Sequence, residues 1–252
     1  MSRAGLVSAI IIIAAWFAVP ARSQDVAPPV GGVSSPPGAM IFHLAHGPDG
    51  ACGPNCSEWI AAEGVVEWDT FKRLFAFMER FGARKVPVVL NVWGESDLIV
   101  ATALGKIIRD RELDVNVGKT VAAGCENAAE AACFALKRSG QALDAKIDTS
   151  LVMCDVVCVL ILAGGVHRTL PADATVVIGP THIHDRLAPN VAEERRQGLQ
   201  ARYSDQYRLY LTQMGVSAEI VDIIDRSSQS GRATQILRGD WLRLGIVTAL
   251  AQ

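Results

Sequence analysis

What this 252-residue sequence lacks is a charge imbalance: 24 Lys and Arg stand against 26 Asp and Glu, for a formal net charge of -2. No basic excess is available to neutralise phosphates, so nucleic acid and acidic membrane surfaces drop out as default partners. The sequence also lacks the composition of a disordered or collagen-like chain, since half its residues are apolar and 20% are charged. Internal repeats are absent. The cysteines number only six and none are spaced as in a zinc knuckle, two residues between a pair. Past the N-terminus no charge-free apolar run is long enough to read as a membrane span. The remainder is a mildly acidic globular chain, long enough to bury a sizeable core without disulfide staples.

The N-terminus carries an address. Arg3 precedes a largely apolar run from Ala4 to Val19, Pro20 breaks it, and Ala21 and Ser23 place small residues two apart before Gln24. This is the three-part layout of a secretory signal peptide, residues 1–23, cleaved after Ser23. An uncleaved N-terminal anchor is the rival reading, although the run is shorter than the ~20 residues that cross a bilayer. Cleavage removes Arg3 and Arg22, leaving 22 basic against 26 acidic residues, or -4. Residues 24–38 (QDVAPPVGGVSSPPG), rich in Pro and Gly, read as a solvated linker. The folded body is expected over 39–252 as one domain.

All six cysteines follow the leader and fall into close pairs: Cys52 with Cys56, Cys125 with Cys133, and Cys154 with Cys158. An even count in an exported chain reads as disulfides, and three local pairs are the economical connectivity. The alternative is metal, with Cys154 and Cys158 joined by His167 or by His182 and His184. Disulfides are the preferred reading; no metal or cofactor is expected.

Along the body, Ala39–Ala45 reads as a strand and Glu63–Val66 as a short second one. Asp69 or Thr70 caps a helix with Phe71, Leu74, Phe75, Met78 and Phe81 on its apolar stripe, ended by Gly82. Lys85–Asn91 is a continuous apolar run, the pattern of a buried strand. Ser96 caps a second helix presenting Val100, Ala103, Leu104, Ile107 and Ile108. Val115–Val121 gives another strand, the Cys125/Cys133 segment an insertion, and Cys154–Cys158 the start of an apolar helix ending at Gly164 and Gly165. A turn at Arg168, Pro171 and Asp173 precedes the strand Thr175–Ile178. Beyond Pro189, Leu199, Tyr203, Tyr207, Tyr210 and Met214 make one helical stripe; Gly215 stops it and Ser217 starts a further helix with Ile220, Val221 and Ile224. Alternating strands and helices followed by a helical tail predict an α/β fold with a C-terminal helical appendage. His43 and His46, flanking a strand end, and His167, in a turn, read as surface or hydrogen-bonded structural histidines. Arg195 and Arg196, after Glu193 and Glu194, read as a solvated helix face.

The order PVVLNVWGESDLIVATALGKIIRD, VNVGKT, CDVVCVLILAGGVHR, and then a strand ending in Ile178-Gly179 ahead of a histidine resembles the Clp-protease/crotonase superfamily, and its exported bacterial members in particular. Fainter echoes reach Asn55-Cys56-x-Glu58-Trp59-Ile60 and Leu244-Gly245-Ile246-Val247-Thr248. The resemblance implies a core of repeated ββα units. It also implies a serine at a helix N-terminus attacking an acyl carbonyl, a histidine base, and backbone N–H groups from a Gly-Gly turn holding the oxyanion. Carried over, the nucleophile position falls on Val156, which has no proton to give and no lone pair to attack with. The oxyanion turn falls on Gly94 and Glu95, with Trp93 in place of proline. The histidine falls on Thr181 in strict register, or on His182 one residue later. Nucleophile, oxyanion glycine and base register depart together, so the resemblance implies a degenerate serine-peptidase site and a non-catalytic binding or assembly module. The rival is a hydrolase using other residues: Cys154 or Cys158 as thiolate, His182 or His184 as base, Asp155 or Asp185 as orienter. The exported setting argues against CoA chemistry. A peptide or envelope-protein ligand, a homo-oligomer and a bacterial periplasmic or envelope location are the further expectations, with membrane contact only through an uncleaved N-terminus.

Overall fold

The computed structural model describes residues 38–80, 82–181 and 192–250. Chain order builds the sheet from a hairpin outward. Strand β1 (Ile41–His46) pairs antiparallel with β2 (Glu58–Gly64), Ile41 opposite Glu63 and His46 opposite Glu58. β2 starts earlier than the sequence pattern predicts, because Trp59, Ile60, Ala61 and Ala62 are buried on both faces and show no alternation. Helix α1 (Thr70–Glu79) then leads to β3 (Val88–Val92), parallel to β2, and α2 (Leu98–Asp110) leads to β4 (Val115–Val117), parallel to β3. The continuous apolar run of β3 is the expected buried strand, with Val88, Val89 and Leu90 all buried.

The predicted strand Val115–Val121 is broken at Gly118, where a Cβ would lie 2.8 Å from Ile147 Cγ2. The chain turns there into β5 (Lys119–Ala122), which pairs antiparallel with β6 (Leu143–Asp148) across the intervening α3 (Glu130–Lys137). β6 also runs parallel to β1. After β7 (Met153–Cys154) and α4 (Val156–Leu162), β8 (Arg168–Thr169) completes a seven-stranded sheet of order β5-β6-β1-β2-β3-β4-β8. A smaller sheet has the order β10-β9-β7, with β9 (Thr175–Ile178) in its centre; helices α5 (Glu193–Gln213) and α6 (Glu219–Ser230) intervene before β10 (Thr234–Ile236). The expected α/β fold with C-terminal helices is present, and β10 returns the chain from those helices to β9.

Two helix faces are rotated from the predicted stripes. On α1 the buried positions are Thr70, Arg73, Leu74, Phe77 and Met78, while Phe75 is 48% exposed and Phe71 half-buried. Arg73 hides among apolar residues because its guanidinium donates to Asp69 Oδ1 (3.0 Å) and Thr70 Oγ1 (2.9 Å). On α2 the cap is Asp97, whose carboxylate accepts from Ile99 N and Val100 N at 2.9 and 3.1 Å. Ser96 is instead buried, its hydroxyl accepting from Val66 N (2.9 Å), and Ala101 and Gly105 replace Ala103 and Ile107 on the fully buried face. Gly105 meets Gly164 backbone to backbone: a Cβ on Gly164 would lie 2.2 Å from Gly105 O. That contact seats α2 on α4, and Tyr210 seats α5 on the same spot by donating from its hydroxyl to Leu160 O (2.7 Å).

Candidate functional site

Strand β7 lies parallel to β9, Cys154 opposite Val176, so both strands deliver the chain to the same end of the small sheet. From β7 the chain passes Asp155 into α4. The Asp155 carboxylate accepts from Cys158 N (2.9 Å) and closes the helix start, while burial pushes its carboxyl above the ordinary aspartate range. Cys154 and Cys158 are bonded to each other with Cα atoms 5.1 Å apart, and Val156 sits within the span they close. Its side chain is buried, as is every other residue of α4. The position to which the resemblance assigns a nucleophile therefore holds an apolar group packed into the core.

Gly94 follows β3 in a left-handed turn, φ 73°. Its ideal Cβ would lie 3.0 Å from Val65 Cγ2, so both the backbone angle and the space favour glycine. Glu95 and Trp93 flank it, both exposed. The elements on either side of this turn, β3 and α2, both pack on α4, so the turn and the helix carrying Val156 belong to one packed unit. The first amides of α2 that the Asp97 carboxylate accepts from are already engaged. Thr181 lies beyond β9, but its amide donates to Ser228 Oγ (3.0 Å) and its hydroxyl lies 3.2 Å from the same oxygen, so it is tied to α6. It lines a cleft of about 960 Å³ between α5 and α6, with Glu193, Asp205, Arg208 and Asp225 among the polar walls. His182, His184 and Asp185 lie outside the described residues, as do the leader and residues 24–37.

All three local cysteine pairs are disulfides, with Cα–Cα distances of 5.1, 4.9 and 5.1 Å in chain order. Three bridges fit an oxidising compartment. The pairing of Cys154 with Cys158 removes both from the metal set and from any thiolate role. No group of three His, Cys, Asp or Glu among the described residues is arranged to hold a metal ion, and none of the described helices is long and apolar enough to cross a membrane.

His43 departs from the surface or hydrogen-bonded histidine the sequence predicts. It is 1% exposed in the middle of β1, and neither ring nitrogen has a hydrogen-bond partner among the described residues. Burial first, and the nearby Lys137 ammonium second, lower its pKa to about 3. The same region holds Glu63, which accepts from Thr120 N (3.1 Å) and pairs with Lys137 of α3, while Trp59 Nε1 donates to Thr120 Oγ1 (2.9 Å). Sequence reasoning missed this polar cluster; the one available signal was a glutamate ending the run Trp-Ile-Ala-Ala. A second missed feature caps the other end of α4. Arg109 donates to the carbonyls of Ala163, Gly164 and Gly165 at 2.9 Å, and Arg168 joins it on Gly165 O and Met214 O. Guanidinium charge at a helix C-terminus complements its dipole. His167 pairs with Asp114 (2.8 Å), as a hydrogen-bonded surface histidine should.

Compared with known sequence families and with curated proteins, the chain matches none. Solved structures with a similar arrangement include a ClpP1 mutant from Listeria monocytogenes, 12% identical with a TM-score of 0.43, covering 73% of this chain and 82% of that one. A peptidase from Plasmodium falciparum is 8% identical with a TM-score of 0.40, covering 73% and 88%. An enoyl-CoA hydratase/isomerase from Marinobacter aquaeolei is 11% identical with a TM-score of 0.37, covering 84% and 70%.

Proposed function

We propose that this chain is an exported ClpP/crotonase-like protein of the bacterial envelope that has lost serine hydrolysis and serves as a non-catalytic binding or assembly module. The observation that carries the reading is Val156: the first residue of α4 is an apolar, buried side chain inside a disulfide-closed turn. Supporting it are Glu95, which places a carboxylate beside the turn where an oxyanion would need donors, and Thr181, whose hydroxyl is engaged by Ser228. The thiolate variant of a hydrolase is disfavoured because Cys154 and Cys158 are bonded to each other. Self-association follows from the resemblance and is read by sedimentation.

The test uses mature protein and fluorescein-labelled, unfolded casein, followed by anisotropy and by gel. Saturable binding with the casein intact is the expected result. Cleavage would replace the module by an active hydrolase, and absence of binding would replace it by a purely structural envelope protein.

A further inference from the structure

The three bridges stand in three different situations. Cys154 and Cys158 are sealed in the core, 0% and 1% exposed. Cys125–Cys133 ties down α3, a helix that buries none of its own residues and so depends on that tether and on the Lys137–Glu63 pair. Cys52–Cys56 lies between these cases: Cys52 is buried against Trp59, Ala45, Ala61 and Val89, whereas Cys56 is half-buried. The turn this bridge spans is already hydrogen-bonded: Cys52 N donates to Cys56 O (3.3 Å), Cys56 N to Gly53 O (3.0 Å), and Gly53 N to Gly50 O (3.3 Å). Asn116 Nδ2 then donates to Cys52 O (2.9 Å) while Asn116 Oδ1 accepts from Thr169 Oγ1 (2.5 Å), so the turn is pinned to β4 and β8 without the sulfur bridge.

Both of these cysteines line a cleft of about 920 Å³ at the N-terminal ends of the parallel strands β2, β3, β4 and β8. This is the opposite end of β3 from Gly94 and Glu95. Pro54, Pro87, Ile147 and Pro171 give the cleft apolar surface on which a peptide can lie, and Arg84, Lys85 and His167 line the same walls. Cationic groups such as Arg84 and Lys85 favour a departing thiolate. Each of the three has an acidic partner, Arg84 with Glu58, Lys85 with Glu112 and His167 Nδ1 with Asp114, so the local charge is balanced. The turn is held by its hydrogen bonds as well as by the bridge, and the bridge opens through Cys56 on a peptide-sized cleft, a placement suited to exchange.

We propose that Cys52–Cys56 is a redox-active bridge that takes two electrons from a protein dithiol seated in this cleft. The partner's first thiolate attacks Sγ of half-buried Cys56, forming a mixed disulfide and releasing Cys52 as a thiolate. The partner's second thiolate then attacks its own sulfur in the mixed disulfide and releases Cys56. The partner leaves as a disulfide, and the two protons it lost end on Cys52 and Cys56. This activity is independent of the proposal made at Val156.

The test exposes the mature protein, all three bridges formed, to a synthetic peptide carrying two cysteines. Acid quenching, maleimide labelling and peptide mapping follow in time. Cys52 and Cys56 are expected to label at least tenfold faster than the other four cysteines, with one peptide disulfide formed per chain opened. Opening of Cys125–Cys133 first, or of all three bridges together, would overturn the proposal. The double variant Cys52→Ser, Cys56→Ser keeps its near-ultraviolet circular dichroism and leaves the peptide reduced. Undiminished peptide oxidation overturns the assignment, and an unfolded variant overturns the premise that the turn stands without its bridge.

Discussion

The seat of α4 on α2 offers a sharp test of the packing. In Gly164→Ala the new Cβ would lie 2.2, 2.5 and 2.7 Å from the O, Cα and C atoms of Gly105. Those are backbone atoms of a helix interior and cannot rotate away, so the two elements must separate by about 1 Å to reach ordinary contact, and overpacking of this kind costs ~1–3 kcal/mol. Separation also strains the Tyr210 bond to Leu160 O and the Arg109 bonds to residues 163–165, each net worth ~1 kcal/mol. The expected loss is about 3 kcal/mol. Gly198→Ala is the matched control: it sits in the interior of α5, a Cβ there meets nothing within 4 Å, and its φ lies outside the left-handed region. Alanine is expected to stabilise there by ~0.5–1 kcal/mol through helix propensity and the unfolded chain. Urea unfolding of the mature protein with bridges intact, followed by the buried Trp59 and Trp241, reads both. A Gly164→Ala midpoint equal to wild type would refute the close approach of α2 and α4.

Two pH predictions follow from buried titratable groups. His43 has its pKa lowered to about 3 against 6.5 for the free side chain, so the unfolded chain takes up a proton first as pH falls. Stability contributed by neutral His43 is full above about pH 6.5 and is lost between there and about pH 3, at up to ~1.4 kcal/mol per pH unit. Urea midpoints at pH 7 and pH 5 should converge in His43→Gln relative to wild type; an unchanged acid slope would refute the buried neutral imidazole. Burial raises the Tyr210 phenol above its ordinary value of 10.0, with Arg109 and Arg168 opposing. The unfolded phenol therefore ionises first, stability is full below pH 10 and falls as pH rises beyond it. Tyr210→Phe should cost ~1 kcal/mol at pH 7 and remove that alkaline loss, and a variant with wild-type stability and alkaline slope would contradict the bond to Leu160 O.

Legibility in the sequence tracked how directly a residue's type reports its surroundings. β3, α4 and the three cysteine pairs were readable because an unbroken apolar run and short spans leave few alternatives. The split at Gly118 was not, because the obstacle is Ile147, which contacts it from a strand the pattern did not reveal. β6 reads LDAKID, too polar to signal a strand, because its outer face is solvated. The buried face of α1 differs from the predicted stripe because Thr70 and Arg73 occupy it, Arg73 donating to Thr70 and Asp69, and Phe75 is left outside. At the site, the apolar character of Val156 was plain from its letter. The attachment of Thr181 to Ser228 of α6, and the approach of Lys137 to Glu63, join residues far apart in the chain and depend on tertiary packing.

The most direct measurement of the central claim is intact-mass analysis of the purified mature protein after exposure to a fluorophosphonate, with Val156→Ser alongside. No adduct is expected on the wild type, because α4 offers a buried valine at the position to which the resemblance assigns the nucleophile. An adduct on the mutant alone would trace the loss of hydrolysis to that one side chain and leave the claim standing. A stoichiometric adduct on the wild type, mapped to any serine, would contradict it.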